Sequence, residues 1–213
     1  ADYHVQSFWE KPAEPPTIPG RPGVCLVNMG VYVFTTSKLV RELIRDAKDH
    51  TSQHDFGRNV IPAMIANGDR VVACPFADEH TAGAGYWRDI GTLDSYYEAN
   101  MDLVRAEPPI DLYDRQWPIR THMTARPPAR VVDSTIDPSL VGTVVDSLLS
   151  AGCVISGSRV ERSVLSPEVI VHTGANVADS ILMDGVDVGR RAVIKRAIVC
   201  PQVRIPEGAS IGV

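Results

Sequence analysis

VISGSRVERSVLSPEVIVHTGANVADSILMDGVDVGRRAVIKRAIVCPQVRIPEGASI, residues Val154–Ile211, is the stretch that decides the fold. Apolar residues recur in it at Val154, Val160, Leu165, Val171, Val177, Leu182, Val188, Ile194, Val199, Ile205 and Ile211, with spacings of 6, 5, 6, 6, 5, 6, 6, 5, 6 and 6, so every third anchor returns after 17 residues. Strand alternation turns the side chain two positions before each anchor inward as well. Ser158, Ala175, Ala192 and Ala209 form one such column, Ser163, Ser180 and Ala197 a second, and Gly152, Val169, Val186 and Val203 a third. Three short sides per turn predict a triangular parallel β-helix in which each column becomes a ladder of like residues. At ~4.8 Å per coil, the repeat predicts about three and a half coils and a stack roughly 17 Å tall. Chance alternation would not hold eleven anchors to one period.

Upstream of the repeat, helix signals are absent from Ala129 onward, so 129–213 is set as the solenoid domain. Pro108-Pro109 and three further prolines between Asp111 and Pro128 mark 107–128 as a connector. Residues 1–106 alternate strand and helix signals. Val5–Trp9, Val31–Phe34 and Arg70–Phe76 read as strands. Ser37–Asp46 reads as a helix with Leu39, Val40, Leu43 and Ile44 on one face; Arg58–Ala66 and Leu93–Ala106 read as two more. The alternation predicts an α/β layer with a largely parallel sheet.

The 213 residues are 44% hydrophobic and 22% charged, with a formal net charge of −5. Lys and Arg are scattered, which gives no basic stripe for a nucleic-acid backbone, so nucleic acid is excluded as an expected partner. No apolar run reaches the roughly 20 residues of a membrane span and no signal-peptide layout opens the chain, so no membrane role and a cytoplasmic location are expected. Cys25, Cys74, Cys153 and Cys200 lie far apart without a C-x-x-C pair and read as reduced thiols. The chain opens on Ala1-Asp2-Tyr3 and closes on Gly212-Val213 within the repeat, and truncation at both ends is expected.

The repeat resembles the hexapeptide-repeat family, which implies left-handed winding. Upstream, five motifs occur in order: Phe8-Trp9-Glu10-Lys11-Pro12, Asn28-Met29-Gly30-Val31-Tyr32-Val33-Phe34, His54-Asp55-Phe56-Gly57, Tyr86-Trp87-Arg88-Asp89-Ile90-Gly91-Thr92, and Asp111-Leu112-Tyr113-Asp114-Arg115-Gln116-Trp117-Pro118-Ile119-Arg120-Thr121. Together they resemble the sugar-nucleotide pyrophosphorylases, and within them the ADP-glucose branch of bacterial glycogen synthesis. The E-K-P and W-x-D-x-G-T elements point to the superfamily; H-D-F-G and Y-D-R-x-W-P-I-R-T point to the branch. The resemblance implies the C-terminal part of a Rossmann-like nucleotidyltransferase domain at 1–106, ahead of a regulatory and assembly solenoid.

The implied reaction joins a phosphate oxygen of glucose 1-phosphate to the α-phosphorus of ATP as pyrophosphate leaves, which needs cations near the phosphates and a carboxylate for Mg²⁺. The resemblance makes Lys11 the cation for the sugar phosphate, an ammonium being a compact point charge. It places Glu10, Asn28, Gly30, Tyr32, Asp55, Phe56 and Trp87 in the glucose 1-phosphate pocket, with Glu10 and Asp55 accepting from hydroxyls. Asp89 becomes the Mg²⁺ ligand, Mg²⁺ taking one or two carboxylates plus phosphate oxygens. From the residues alone, the favoured readings are a surface lysine for Lys11 and core for the aromatics, with Glu10 open to being a solvated acid and Asp89 an acid before a helix. Asn28 departs from the branch, which carries Ser there.

The family's Gly-rich phosphate loop and its first-half catalytic Asp have no counterpart in these residues, so the ATP-binding half is expected elsewhere. The resemblance also implies a homotetramer controlled by sugar-phosphate or nucleotide effectors. For that control the basic cluster Arg190, Arg191, Lys195 and Arg196 is the candidate, against a merely solvated face. Other readings stay open: a pyrophosphorylase using UTP or dTTP, a non-catalytic regulatory subunit, and an acyltransferase with His172 as general base.

Overall fold

The computed structural model describes residues 3–18, 20–76, 85–121 and 124–212; Ala1, Asp2 and Val213, at the ends discussed above, lie outside them. The chain forms two compact units, Ala1–Trp87 and Arg88–Val213.

In the first unit, helix α1 spans Thr36–Asp46. Its expected apolar face is largely in solvent, with Val40 49%, Leu43 40% and Ile44 52% exposed, while Glu42 is buried between Arg41 and Arg45. A π-turn, Phe56–Val60, runs directly into α2, Ile61–Ala66. Pro62 in the first turn of α2 has no N–H to give the preceding carbonyls, and the turn before it is the wide one, in which Val60 N–H reaches back to Asp55 O at 3.1 Å. Val60, Ile61 and Met64 are the unit's buried apolar residues among those described. Among the described residues of this unit the expected parallel sheet does not form. Bridges outside strands are His4 with Val72 and Ile18 with Arg21, both antiparallel. A strand exists only through a hydrogen-bonded neighbour, and Val31 and Val33, 77% and 98% exposed, have none alongside among the described residues.

The second unit opens with α3, Leu93–Asp102, four residues shorter at its end than the sequence suggests. Thr92 and Ser95 close a capping box at its start. The solenoid follows. Its first coil carries β1 (Arg130–Val132), β2 (Thr143–Val145) and β3 (Leu148–Leu149). The second carries β4 (Val154–Ser156), β5 (Arg159–Glu161) and β6 (Val164–Leu165), and the third β7 (Ile170–Val171), β8 (Asn176–Ala178) and β9 (Ile181–Leu182). The fourth carries β10 (Asp187–Val188), β11 (Val193–Lys195) and β12 (Ile198–Val199); β13 (Arg204–Ile205) and β14 (Ser210–Ile211) belong to a fifth. The strands stack in parallel on three sides: β1-β4-β7-β10-β13, β2-β5-β8-β11-β14 and β3-β6-β9-β12.

Register confirms the 17-residue period across the later coils: Val171 pairs with Val188, Val177 with Ile194, Leu182 with Val199. It corrects one anchor. Val171 pairs with Ile155, not Val154; Ile155 is fully buried and Val154 only partly so. The corner Ser156-Gly157-Ser158 is one residue shorter than its counterpart His172–Ala175. Gly157 makes that corner possible, since it holds φ +50 with its backbone against Ser134, where a Cβ would come within 2.8 Å of Ser134 N. For the same reason Cys153, not Gly152, sits inward with Val169 and Val186. The first coil also departs from 17, Val144 pairing with Val160 and Leu149 with Leu165, which is why the count from sequence begins one coil late.

The core is a stack of aliphatic side chains, with Ile155, Val160, Leu165, Val171, Val177, Leu182, Val188 and Ile194 all at 0% exposure. Each contributes about 1.5–3 kcal/mol by leaving water. One corner carries Asp146, Arg162, Asp179 and Arg196 in the left-handed region, at φ +45, +43, +48 and +49.

Candidate functional site

Six of the expected sugar-site residues lie in one connected cluster of the first unit. Asp55 holds the start of the π-turn, its Oδ1 accepting from the Arg58 N–H at 2.8 Å. Gly57 lies against Glu10: a Cβ there would fall 2.4 Å from Glu10 Oε2 and 3.4 Å from Asp55 Oδ1. The two carboxylates therefore flank one stretch of bare backbone. Phe56 stacks on Tyr32 with centroids 5.4 Å apart, and Phe34 packs on both rings at 5.8 and 6.0 Å. The Tyr32 hydroxyl accepts from Asn28 Nδ2 at 2.6 Å, and Asn28 Oδ1 accepts from the Gly30 N–H at 2.9 Å, with Gly30 at φ +73. Two acceptor groups beside a stacked aromatic wall suit a polyol with a flat apolar face.

Lys11, next to Glu10, is exposed, and no ion pair among the described residues engages it. Its φ of +47 is a conformation that costs a non-glycine residue about 1–2 kcal/mol. Strain of this kind gathers at functional sites. Trp87 is 42% exposed and lies outside the three ring contacts above.

Two supports escaped the sequence reading. His54, also left-handed at φ +56, places Nδ1 2.8 Å from Asp46 Oδ2, so the residue ahead of Asp55 is tied to the end of α1. The Ser52 hydroxyl and then His54 hold the Asp46 carboxyl below its usual range. Phe34 was legible, since it alternates with Tyr32 by the period of two; the His54–Asp46 pair carries no local signal.

Asp89 belongs to the second unit and is exposed. Its Oδ1 accepts from the Gly91 N–H at 3.0 Å, closing a turn that delivers the chain to the Thr92 cap of α3. Among the described residues no group of three His, Cys, Asp or Glu side chains gathers to hold a metal. Asp89 thus fits Mg²⁺ only as a single carboxylate, in the manner of sites completed by phosphate oxygens and water.

On the solenoid the basic cluster is divided. Arg190 and Arg191 precede β11, while Lys195 is its last residue and Arg196 follows it, so the pairs mark the two ends of one strand. Arg191 is engaged by Glu207; Lys195 and Arg196 are exposed without an ion pair among the described residues. His172 points outward and its Nε2 lies 2.9 Å from Asp187 Oδ1, a surface pair between adjacent coils.

The Nucleotidyl transferase family profile matches residues 1–106, and the profile "GlmU-like, C-terminal hexapeptide" matches 127–213. Residues 1–106 belong to the nucleotidyl transferase family. Among curated relatives, the glucose-1-phosphate adenylyltransferase of Dechloromonas aromatica is 46% identical over 212 residues, covering 98% of this chain and 48% of that protein. The enzyme of the same name from Trichlorobacter lovleyi is 46% identical over 99% of this chain and 51% of its own length. That of Frankia casuarinae is 45% identical over 98% and 51%. The chain spans about half the length of these relatives and corresponds to their C-terminal half. No helix among the described residues is long and apolar enough to cross a membrane.

Proposed function

We propose that the complete protein transfers the adenylyl group of ATP to α-D-glucose 1-phosphate, releasing pyrophosphate and forming ADP-glucose for glycogen or related α-glucan synthesis. The observation that carries this reading is the joining of Glu10, Asp55, Phe56, Tyr32 and Asn28 through Gly57 and the aromatic stack, in a chain whose relatives bear that enzyme's name.

In the reaction a phosphate oxygen of the sugar phosphate attacks the α-phosphorus, and the bond to the bridging oxygen of the β-phosphate breaks. Lys11 balances the sugar phosphate charge. Glu10 and Asp55 accept from sugar hydroxyls, Asn28 keeps its amide within reach, and the Tyr32–Phe56 face receives the ring's C–H side. These contacts align the nucleophile, and alignment with charge compensation supplies the rate without a covalent intermediate. Mg²⁺, bound through Asp89, would neutralise charge on the departing pyrophosphate.

The family resemblance extends the reading to a cytoplasmic homotetramer whose activity responds to anionic sugar-phosphate or nucleotide effectors. Support on this chain is the exposed pair Lys195 and Arg196, with Arg190 and the Glu207-bound Arg191 at the other end of β11. The test is pyrophosphate release by the complete protein with glucose 1-phosphate, Mg²⁺ and each of ATP, UTP and dTTP. Preference for ATP is expected. Preference for UTP or dTTP replaces the donor, and absence of release with every nucleotide replaces the enzyme with a regulatory subunit.

A further inference from the structure

Arg88 stands between Trp87 and Asp89, and its fork grips two carboxylates one turn apart on α3. Nη1 reaches Glu98 Oε2 at 2.8 Å and Nη2 reaches Asp102 Oδ2 at 2.9 Å. Asp102 is 1% exposed and also takes Arg105 Nη2 at 2.8 Å. A buried carboxylate between two guanidiniums is held by both the cost of leaving it unpaired and the planar geometry of the forks. The next residues are equally tied: Asp89 Oδ1 to the Gly91 N–H, Thr92 to Ser95. Among the described residues Asp89 Oδ2 makes no hydrogen bond, so one oxygen fixes the turn and the other remains available.

The helix that receives Arg88 is itself pinned to the solenoid. The Tyr97 hydroxyl donates to the Asp179 carbonyl at 2.8 Å, and burial raises that phenol above its usual value. The Asp179 side chain is gripped by Arg162 Nε and Nη2 at 2.6 and 2.9 Å, across one coil step. Two residues on, Ile181 faces outward by alternation beside inward Leu182, yet is only 1% exposed, which marks this side as covered.

We propose that Arg88 is a positioning residue that aims Asp89, and that α3, pinned through Tyr97, makes the solenoid the base against which Asp89 is aimed. Its bearing on catalysis rests on the adenylyltransferase reading above. A lysine, a point charge on a flexible stem, reaches one of the two carboxylates but cannot bridge both.

The test uses the complete protein with R88Q, R88K and Y97F, followed by amide hydrogen exchange without metal and by steady-state kinetics. R88Q should speed exchange of residues 89–95 by about tenfold while exchange in the solenoid strands stays unchanged, and should raise the Mg²⁺ concentration for half-maximal activity by about tenfold with KM for glucose 1-phosphate unmoved. R88K should shift both in the same direction to a lesser degree, and serves if R88Q does not fold. Y97F should speed exchange along α3 alone. Unchanged exchange at 89–95 in R88Q or R88K overturns the proposal, as does a uniform rise across the unit. Faster local exchange in a protein that releases no pyrophosphate with any nucleotide upholds the positioning and removes the adenylyltransferase reading.

Discussion

The Ser180 N–H donates to the Oγ of Ser163, the residue one coil earlier in the same column, at 3.1 Å. Ser163 N–H does the same to Ser147 Oγ at 3.0 Å, and Ala197 N–H to Ser180 Oγ at 3.2 Å. Each hydroxyl in turn donates back within its own coil, Ser163 to Glu161 O and Ser180 to Ala178 O. A column of small residues is thus a hydrogen-bonded ladder that satisfies corner amides no strand pairing reaches. Ser163→Ala leaves the fully buried Ser180 N–H without its acceptor, and should lower unfolding free energy by about 1–3 kcal/mol. Urea titration of the variant reads this; a midpoint equal to the unsubstituted protein's would mean the ladder contributes nothing.

The corrected anchor makes a sharper comparison. Ile155 is fully buried in the aliphatic stack, and Ile155→Ala should cost about 2–5 kcal/mol. Val154 pairs outward with Ile170, and Val154→Ala should cost less than about 1 kcal/mol. Thermal unfolding of the two variants side by side decides which residue belongs to the core; equal losses would contradict the register.

Much of this was legible because a solenoid is periodic. Eleven anchors on one spacing outweigh any local ambiguity: nine of them are buried where the count places them, and Ile211, though 36% exposed, keeps register with Ile194. The exception falls at a corner shortened by one residue, which a count carried by spacing alone slides past. The transferase part was less legible from pattern. Val31 and Val33 have strand composition, but strandedness is a property of pairs, and among the described residues no neighbouring strand pairs with them. The cluster of Glu10, Asp55, Phe56 and Tyr32 could be named from motifs, but its geometry depends on Gly57 lying against Glu10, 47 residues away in sequence. Arg88 was overlooked because its partners Glu98 and Asp102 read as ordinary helix acids.

The Arg162–Asp179 pair predicts a specific acid response. Hydrogen bonds from Arg162 hold the Asp179 carboxyl below its usual value, and Arg162 is raised in turn, first by Asp179 and then by Glu161. A carboxyl depressed in the folded state is protonated first in the unfolded chain as pH falls. Its stabilising effect is therefore complete above the ordinary carboxylate value of about 4 and is lost as pH drops through the folded one. Asp179→Asn should leave a chain whose stability falls less steeply between about pH 5 and pH 2, while the Tyr97 contact, made to the backbone carbonyl, persists. Urea midpoints at a series of pH values test it; parallel acid limbs in the two proteins would assign the acid sensitivity to other carboxylates.

Gly57 offers the most direct probe of the sugar site. A Cβ at this position would come 2.4 Å from Glu10 Oε2, the free end of a flexible side chain, so the carboxylate should swing away and the fold should survive. If Glu10 accepts from a sugar hydroxyl, Gly57→Ala removes a hydrogen bond to a charged group, worth about 1.5–3 kcal/mol. That corresponds to a rise in KM for glucose 1-phosphate of about tenfold or more, with KM for ATP and the melting temperature little changed. The decisive measurement is the double variant with Glu10→Ala. Because both changes act on one carboxylate, Gly57→Ala should add almost nothing once Glu10 is gone, giving a coupling energy close to the single-variant effect. Additive losses in that cycle would show that Gly57 acts through the backbone of the π-turn and that Glu10 does not touch the sugar.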